Sequence, residues 1–331
     1  MNELSIDNSE IYNSWKHWIT KDTVINVPSE KRTVQDAIDS LQGKVWANNV
    51  NVEIVVWDGE YEFDSLINID LLCPVTIRGK HVLERNITAF VSVTGTTTNW
   101  DVTVTLDDVT GLVVGMYANI FGAVGTGTTD GVNGCWQITG ISSNDVTVKN
   151  TRVLTTFPSA LTAGSFHVPL SQFKSAVGFT GSHFNIASFV NINRLIFIGD
   201  NRVSEAINLA RFGKFTNCEI SSCGFNDMNV GIRVNEGNVV VSECSLSNND
   251  TGIIGHASTF LNVFTSILNG NNVGCTSIVN GLVRLNSSQH NGNTTDVNAT
   301  LNSKVSQLTY DATAIYSPAW QTLGNNNSYI T

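Results

Sequence analysis

The residues from which chemistry could be built are carboxylates. Glu219 follows Cys218 in FTNCEISSC (215–223), and Glu243 precedes Cys244 in VVVSECSLS (239–247). Glycoside hydrolysis usually uses two carboxyl groups flanking the scissile bond, about 5 Å apart for retention or about 6.5 to 9.5 Å for inversion. Strands stacked on adjacent rungs place residues about 5 Å apart, and two rungs about 10 Å. Glu219 and Glu243 are therefore the candidate catalytic pair, on one outer face. An outward Glu on a strand is otherwise a solvated residue that discourages edge pairing. Asp200, Glu205, Asp227, Glu236 and Asp250 complete the carboxylates of this region.

Other chemistries find less to work with. A lyase needs an Arg or Lys base beside a calcium site of several carboxylates. Arg202, Arg211, Arg233 and Arg284 have no acidic cluster near them in sequence, and no G-G-x-G-x-D repeat occurs. The six His are scattered and the six Cys lack CxxC spacing, so neither a metal site, a cofactor nor a Ser-His-Asp arrangement is expected. Glycan binding without chemistry asks only for aromatic faces with polar side chains around them. Trp100, Tyr117 and Trp136 are the candidate platforms, although residues of this type are more often core. Trp15 and Trp18, in S-W-K-H-W, have the spacing of one face of a helical turn. They are expected either to anchor a partner or to pack over the first coil.

Composition bounds the rest. Of 331 residues, 41% are hydrophobic and 14% charged, with 27 Gly. Abundant Asn, Ser, Thr and Gly with few helix formers point to β structure with many turns. The net charge of −10 argues against a nucleic-acid partner and favours a neutral or basic glycan or a protein. No apolar run approaches the roughly 20 residues that span a bilayer. The acidic, polar start MNELSIDNSEIYNSWKHW does not resemble a secretory signal.

The elements that must position these residues come from a repeat. Asn229-Val230-Gly231-Ile232, Asp250-Thr251-Gly252-Ile253 and Asn272-Val273-Gly274-Cys275 recur at spacings of 21 and 22 residues. A short alternating strand precedes each, and LVRLNSSQH (282–290) follows. Strand, Asn-rich turn, Gly and strand in about 22 residues specify stacked coils of a right-handed parallel β-helix. In that frame the recurring Asn extends an amide ladder, the Gly turns the corner, and Asp250 is a turn residue. Cys218 and Cys244 share a register, within reach of a disulfide or as stacked free thiols, and the latter suits a chain without an export signal.

Upstream, Thr33-Val34-Gln35-Asp36 is a capping box for a helix at about 33 to 43, suited to covering the first coil. VNVEIVVWDGEYEF (50–63) and PVTIRG (74–79) follow. TVQDAIDSL, then IVVWDGEY, then PVTIRG resembles the start of a pectate-lyase-like β-helix, as in bacteriophage tailspikes and tail fibres and in polysaccharide lyases and hydrolases. The resemblance covers about 30–80 and 180–300, and its motifs are structural.

The expected fold is all-β: a right-handed parallel β-helix with a short N-terminal capping helix and an inserted small β-barrel or sandwich. The expected division is a lead or attachment segment at 1–30, capping helix and first coils at 31–85, an all-β insert at 86–175, coils at 176–304, and a cap or oligomer contact at 305–331. The resemblance implies a phage tail protein that recognises host surface polysaccharide or lipopolysaccharide. It further implies a homotrimer carried in the virion beside other tail proteins, made in the host cytoplasm, with no membrane partner. The alternatives are a glycan depolymerase with paired carboxylates, a bacterial polysaccharide lyase-like enzyme, or a purely structural virion protein. Units this short leave little for long cleft-walling loops, so any groove is expected between subunits or beside the insert.

Overall fold

A computed structural model of the chain describes residues 18–47, 49–96, 99–127, 132–150, 158–209, 217–257, 259–289, 293–300, 303–307, 316–317 and 329–330. Three long parallel sheets and one closed antiparallel barrel account for nearly all of its strands. The chain visits the sheets in turn. Val190–Asn193 lies in the first, Ile196–Ile198 in the second and Glu205–Leu209 in the third, before Asn217–Ser221 returns to pair with Val190–Asn193. One circuit is one coil of a parallel β-helix, and each coil is hydrogen-bonded to the next.

Alternation in the strands fills the interior. In the first sheet the register Ile77, Ile192, Ile220, Val241, Val263, Leu285 makes one buried ladder. Ile67, Phe184, Ile207, Ile232, Ile253, Cys275 and Val297 make another in the third. The second contributes Tyr61, Phe173, Phe197, Phe225 and Leu246, in which the Phe197 and Phe225 rings stack at 5.1 Å. Each such buried side chain contributes about 1.5–3 kcal/mol of transfer free energy, so stacking like on like stabilises every rung.

The turns correct three details of the sequence reading. Gly231, Gly252 and Gly274 do not round corners, for they lie inside strands and none takes a positive φ. They are required because a Cβ at Gly252 would sit 2.5 Å from the Gly274 carbonyl oxygen, and one at Gly274 2.6 Å from that of Asp296. At that turn the left-handed position is taken instead by Asp227, Asn248 and Gly270, with φ of 59°, 60° and 85°, and the corner between the first and second sheets is taken by Ser222, Glu243, Thr265 and Ser287, with φ of 53°, 53°, 47° and 51°. The buried amide ladder is Asn249, Asn271 and Asn293, one residue before the repeated motif. Each Oδ1 accepts the backbone N–H of the preceding coil, from Met228, Asn249 and Asn271 at 3.0, 2.9 and 2.7 Å. Asp250 is an outer turn residue whose Oδ1 accepts from Asn272 Nδ2 at 3.2 Å. Finally, Cys218 lies opposite Val239, whereas Cys244 stacks on Cys223, whose carbonyl receives the Ser245 N–H. All six cysteines are free.

The helix Val34–Asp39 carries the capping box, with Thr33 Oγ1 accepting from Asp36 N at 3.0 Å and Asp36 Oδ2 from Thr33 N at 3.1 Å. Its buried Val34, Ala37 and Ile38 pack on Thr23–Val27, Val52–Val56 and Ile67–Ile69, at the first coils. Among the described residues no helix is long and apolar enough to cross a membrane.

The barrel leaves the coil after Val75–Gly79 and returns at Ser171–Ser175. Its strands are Val82–Thr96, Asn99–Leu106, Tyr117–Gly127, Gly134–Ser142, Asp145–Asn150 and Pro158–Pro169. The VTVTL and DVTV alternation places Val102, Val104, Val146 and Val148 inside with Trp136 and Phe166, while Thr103 and Thr147 meet outside at 2.9 Å. The entry and exit connections bond each other, with Leu170 N–H donating to His81 O at 3.1 Å.

Candidate functional site

The barrel rests on the outer face of the second sheet. Strand Ile196–Ile198 is apolar on both faces, and its outer Ile196 and Ile198 pack against Cys135 and Tyr117 of the barrel. Polar bonds fix the contact. Ser247 Oγ accepts Cys135 N–H at 3.1 Å, Asn226 Nδ2 donates to Cys135 O at 2.6 Å, and Gln172 Oε1 accepts Tyr117 N–H at 3.3 Å. Gly224 is needed here, since a Cβ would lie 2.5 Å from Asn119 Oδ1 and 2.9 Å from Cys135 Sγ.

Where the rounded barrel lifts off the flat sheet, two cavities open, and Gln137 lines both. The smaller, about 290 Å³, is lined by Tyr117, Gln137, Lys149, Arg202, Asn226, Asp227 and Asn248. The larger, about 520 Å³, lies between Asp58, Glu60, Gln172 and Lys174 of the coils and Val113, Val114 and Met116 of the barrel. Together they form a groove along the junction, walled by the insert and not by long coil loops.

Charge in the groove is partly compensated. Lys174 Nζ lies 3.3 Å from Glu60 Oε1, and His81 Nδ1 2.8 Å from Asp58 Oδ2. Arg202 Nε stands 3.8 Å from Asp227 Oδ1, and the Asn201 N–H donates to Asp227 Oδ2 at 3.1 Å. Burial nevertheless holds the Asp227 carboxyl above its ordinary range, outweighing Arg202, and Asp200 on the neighbouring turn adds in the same direction. Burial also raises the Tyr117 phenol, with Asp227 and Glu60 among the charges that add to it. A carboxyl that keeps its proton longer than usual is suited to donate it.

The sequence candidates are placed unevenly. Tyr117 lines the groove. Trp136 is buried in the barrel, its indole N–H donating to Val132 O at 2.9 Å, so it presents no face to a ligand and is corrected from platform to core. Trp100 is half-buried on the barrel strand Asn99–Leu106, opposite Asn150. Trp18 is exposed on a two-residue strand pairing with Val45–Trp46, and so is not on the helical turn expected of it; Trp15 lies outside the described residues. Glu219 and Glu243 lie on adjacent rungs but do not face each other. Glu219 faces out opposite Val240, and Glu243 occupies the corner three positions further on, accepting from Ser222 Oγ at 3.3 Å. Asp227 stood out in the sequence only as one of several carboxylates, and Glu60 and Lys149 not at all, because the groove exists only where two non-adjacent segments dock. Among the described residues no cluster of three or more His, Cys, Asp and Glu could hold a metal ion. Ser175 Oγ, 2.7 Å from His183 Nε2, superficially resembles a nucleophile and base, but both are buried inside the coils.

No family model matches the chain, and neither does any curated protein. Among solved structures, the Pseudomonas phage phi297 tailspike gp61 is similar at a TM-score of 0.23 and 10% identity, over 85% of this chain and 63% of that one.

Proposed function

We propose that the chain is a phage tail protein of the tailspike or tail fibre type that holds host surface polysaccharide or lipopolysaccharide in the groove beside its barrel. The observation that carries this reading is the groove itself: an open channel lined by Gln137, Asn226, Asn248, Lys149 and the edge of Tyr117. Carboxamides, charged tips and an aromatic suit the hydroxyls and C–H faces of a sugar. The early TVQDAIDSL, IVVWDGEY and PVTIRG segments and the parallel coils agree with that protein type. In this reading the protein acts as a homotrimer in the virion, and Trp15 and Trp18 contribute to attachment to other tail proteins.

Binding of host lipopolysaccharide or capsule to the isolated protein, followed by calorimetry, tests it. Lys149→Ala and Asn248→Ala should weaken binding about tenfold each, the effect of losing one hydrogen bond to a charged or well-placed polar group. Unchanged affinity in both variants places the glycan elsewhere.

A second reading, glycan depolymerase, is favoured by the raised carboxyl of Asp227 beside Asp200. It requires release of oligosaccharides from the same polysaccharide, abolished by Asp227→Asn. Loss in Glu219→Gln or Glu243→Gln with Asp227→Asn active would return the chemistry to that pair.

A further inference from the structure

The larger cavity has two unlike walls. On the barrel side the turn between Leu112 and Met116 is pinned by Leu112, which is buried, and by Gly115 N–H donating to Ile138 O at 2.8 Å. The turn thereby holds Val113 and Val114 in the open, at 56% and 55% exposure, and Met116 and Leu170 continue the apolar surface. On the coil side stand Asp58, Glu60 and Lys174, with Gln137 between the two. A plain hexose would leave the valines in contact with hydroxyls, and an alkyl ligand would lie against the Glu60–Lys174 and Asp58–His81 pairs and the Gln137 carboxamide, whose Nε2 donates to Gly115 O at 3.4 Å, without using their remaining hydrogen-bonding capacity. The walls together ask for a ligand with a methyl group on one side and amide and hydroxyl groups on the other.

Resting on the glycan reading above, we infer that this cavity selects an acetamido sugar, an N-acetylated hexosamine unit of the host polysaccharide. Its methyl lies against Val113 and Val114, its amide meets Gln137, and its hydroxyls meet Glu60 and Asp58. The smaller cavity, with Lys149 and Arg202, takes the neighbouring unit. Both valines are barrel residues, so the insert supplies the discrimination and the coils supply the polar floor.

The full chain is titrated with N-acetylglucosamine, glucose and rhamnose, following saturation transfer by NMR and affinity by calorimetry. The acetamido methyl should receive the strongest saturation. Glucose and rhamnose should each bind about tenfold more weakly, since neither offers the amide. Val114→Ser should weaken the acetamido sugar about fourfold, the effect of about one methylene of apolar contact. Leu72→Ser, at an exposed position that lines neither cavity, should leave it unchanged. Equal binding of glucose or rhamnose, or methyl saturation unaltered by Val114→Ser, overturns the inference. Host polysaccharide that binds without saturating an acetyl methyl overturns it while leaving the glycan reading standing. Failure of the polysaccharide and all three sugars to bind overturns both.

Discussion

Acid should loosen the coils through one residue, His183. Its imidazole is fully buried, stacked on Phe63 at 4.9 Å, with Phe179 and Phe197 at 5.9 and 6.0 Å. Nε2 meets Ser175 Oγ at 2.7 Å, and Nδ1 has no partner among the described residues. No charged group among the described residues compensates a positive charge there, and burial lowers its pKa from 6.5 to about 3. Between those values the unfolded chain binds a proton that the folded chain does not. The stability His183 contributes is therefore present above pH 6.5 and lost as pH falls toward 3. At about 1.4 kcal/mol per pH unit, the loss reaches about 3 kcal/mol by pH 4, a large share of the roughly 5–15 kcal/mol of a typical domain. The assay is urea unfolding of the native chain and His183→Gln from pH 7.5 to pH 4. Carboxylates titrate equally in both, so the stability difference isolates the imidazole. The variant should be less stable at pH 7.5, and its deficit should shrink by about 3 kcal/mol at pH 4. A deficit independent of pH would refute the account of His183 as a neutral, uncompensated core group.

Three further outcomes follow from the stacking. Gly252→Ala should lower stability by about 1–3 kcal/mol, the range of overpacking, because its Cβ meets the Gly274 carbonyl and adjacent coils cannot separate; thermal melting reads this out, against Gly178→Ala, where nothing lies within 4 Å of the added carbon, although its φ of +79° brings a separate backbone cost. Asn271→Ala should cost about 2–5 kcal/mol by leaving the buried N–H of Asn249 and the Leu246 carbonyl unsatisfied, and hydrogen exchange at Asn249 should accelerate. Burial pushes the Cys275 thiol up to about 12 and raises that of Cys244, so neither should react with a thiol reagent at pH 8 until urea opens the coils.

The coils were legible because their information is local and repeated. A 22-residue period of Gly, apolar residue and polar turn survives inspection of sequence alone, and so does the Thr33-to-Asp36 cap. Assignments within the turns failed by one to five residues for a physical reason: in a stacked fold the close contact is made by whichever residue faces the next coil. Asn249 and Asn271 face inward while Asp250 and Asn272 face water, yet all four are turn formers by type. Cys223 displaced Cys218 as the partner of Cys244 in the same way, since the corner, not the strand, sets that rung.

The groove was illegible as a set of residues, but one signal pointed at it. Among the outward positions of the second sheet, Gln172, Ile196, Gly224 and Ser245 are rung mates, and so are Lys174, Ile198, Asn226 and Ser247. A solvent-facing row should read polar and well spaced, whereas Ile196 and Ile198 are apolar and Gly224 has no side chain. An outer face that turns apolar for one coil and then gives up its side chain in the next is a face covered by something. The segment of the chain that leaves and re-enters at that height is the barrel. Its edge then defines where Asp227, Lys149 and Tyr117 meet, so the positions that dock the insert determine the position of the groove. On this reasoning, a substitution that undocks the barrel should remove glycan binding without unfolding the coils. Ile196→Asp, burying a charge against Cys135 and Tyr117, is the decisive case. It should abolish binding in calorimetry while leaving the β-sheet circular dichroism near native, and retained binding would show that the glycan site does not depend on the junction.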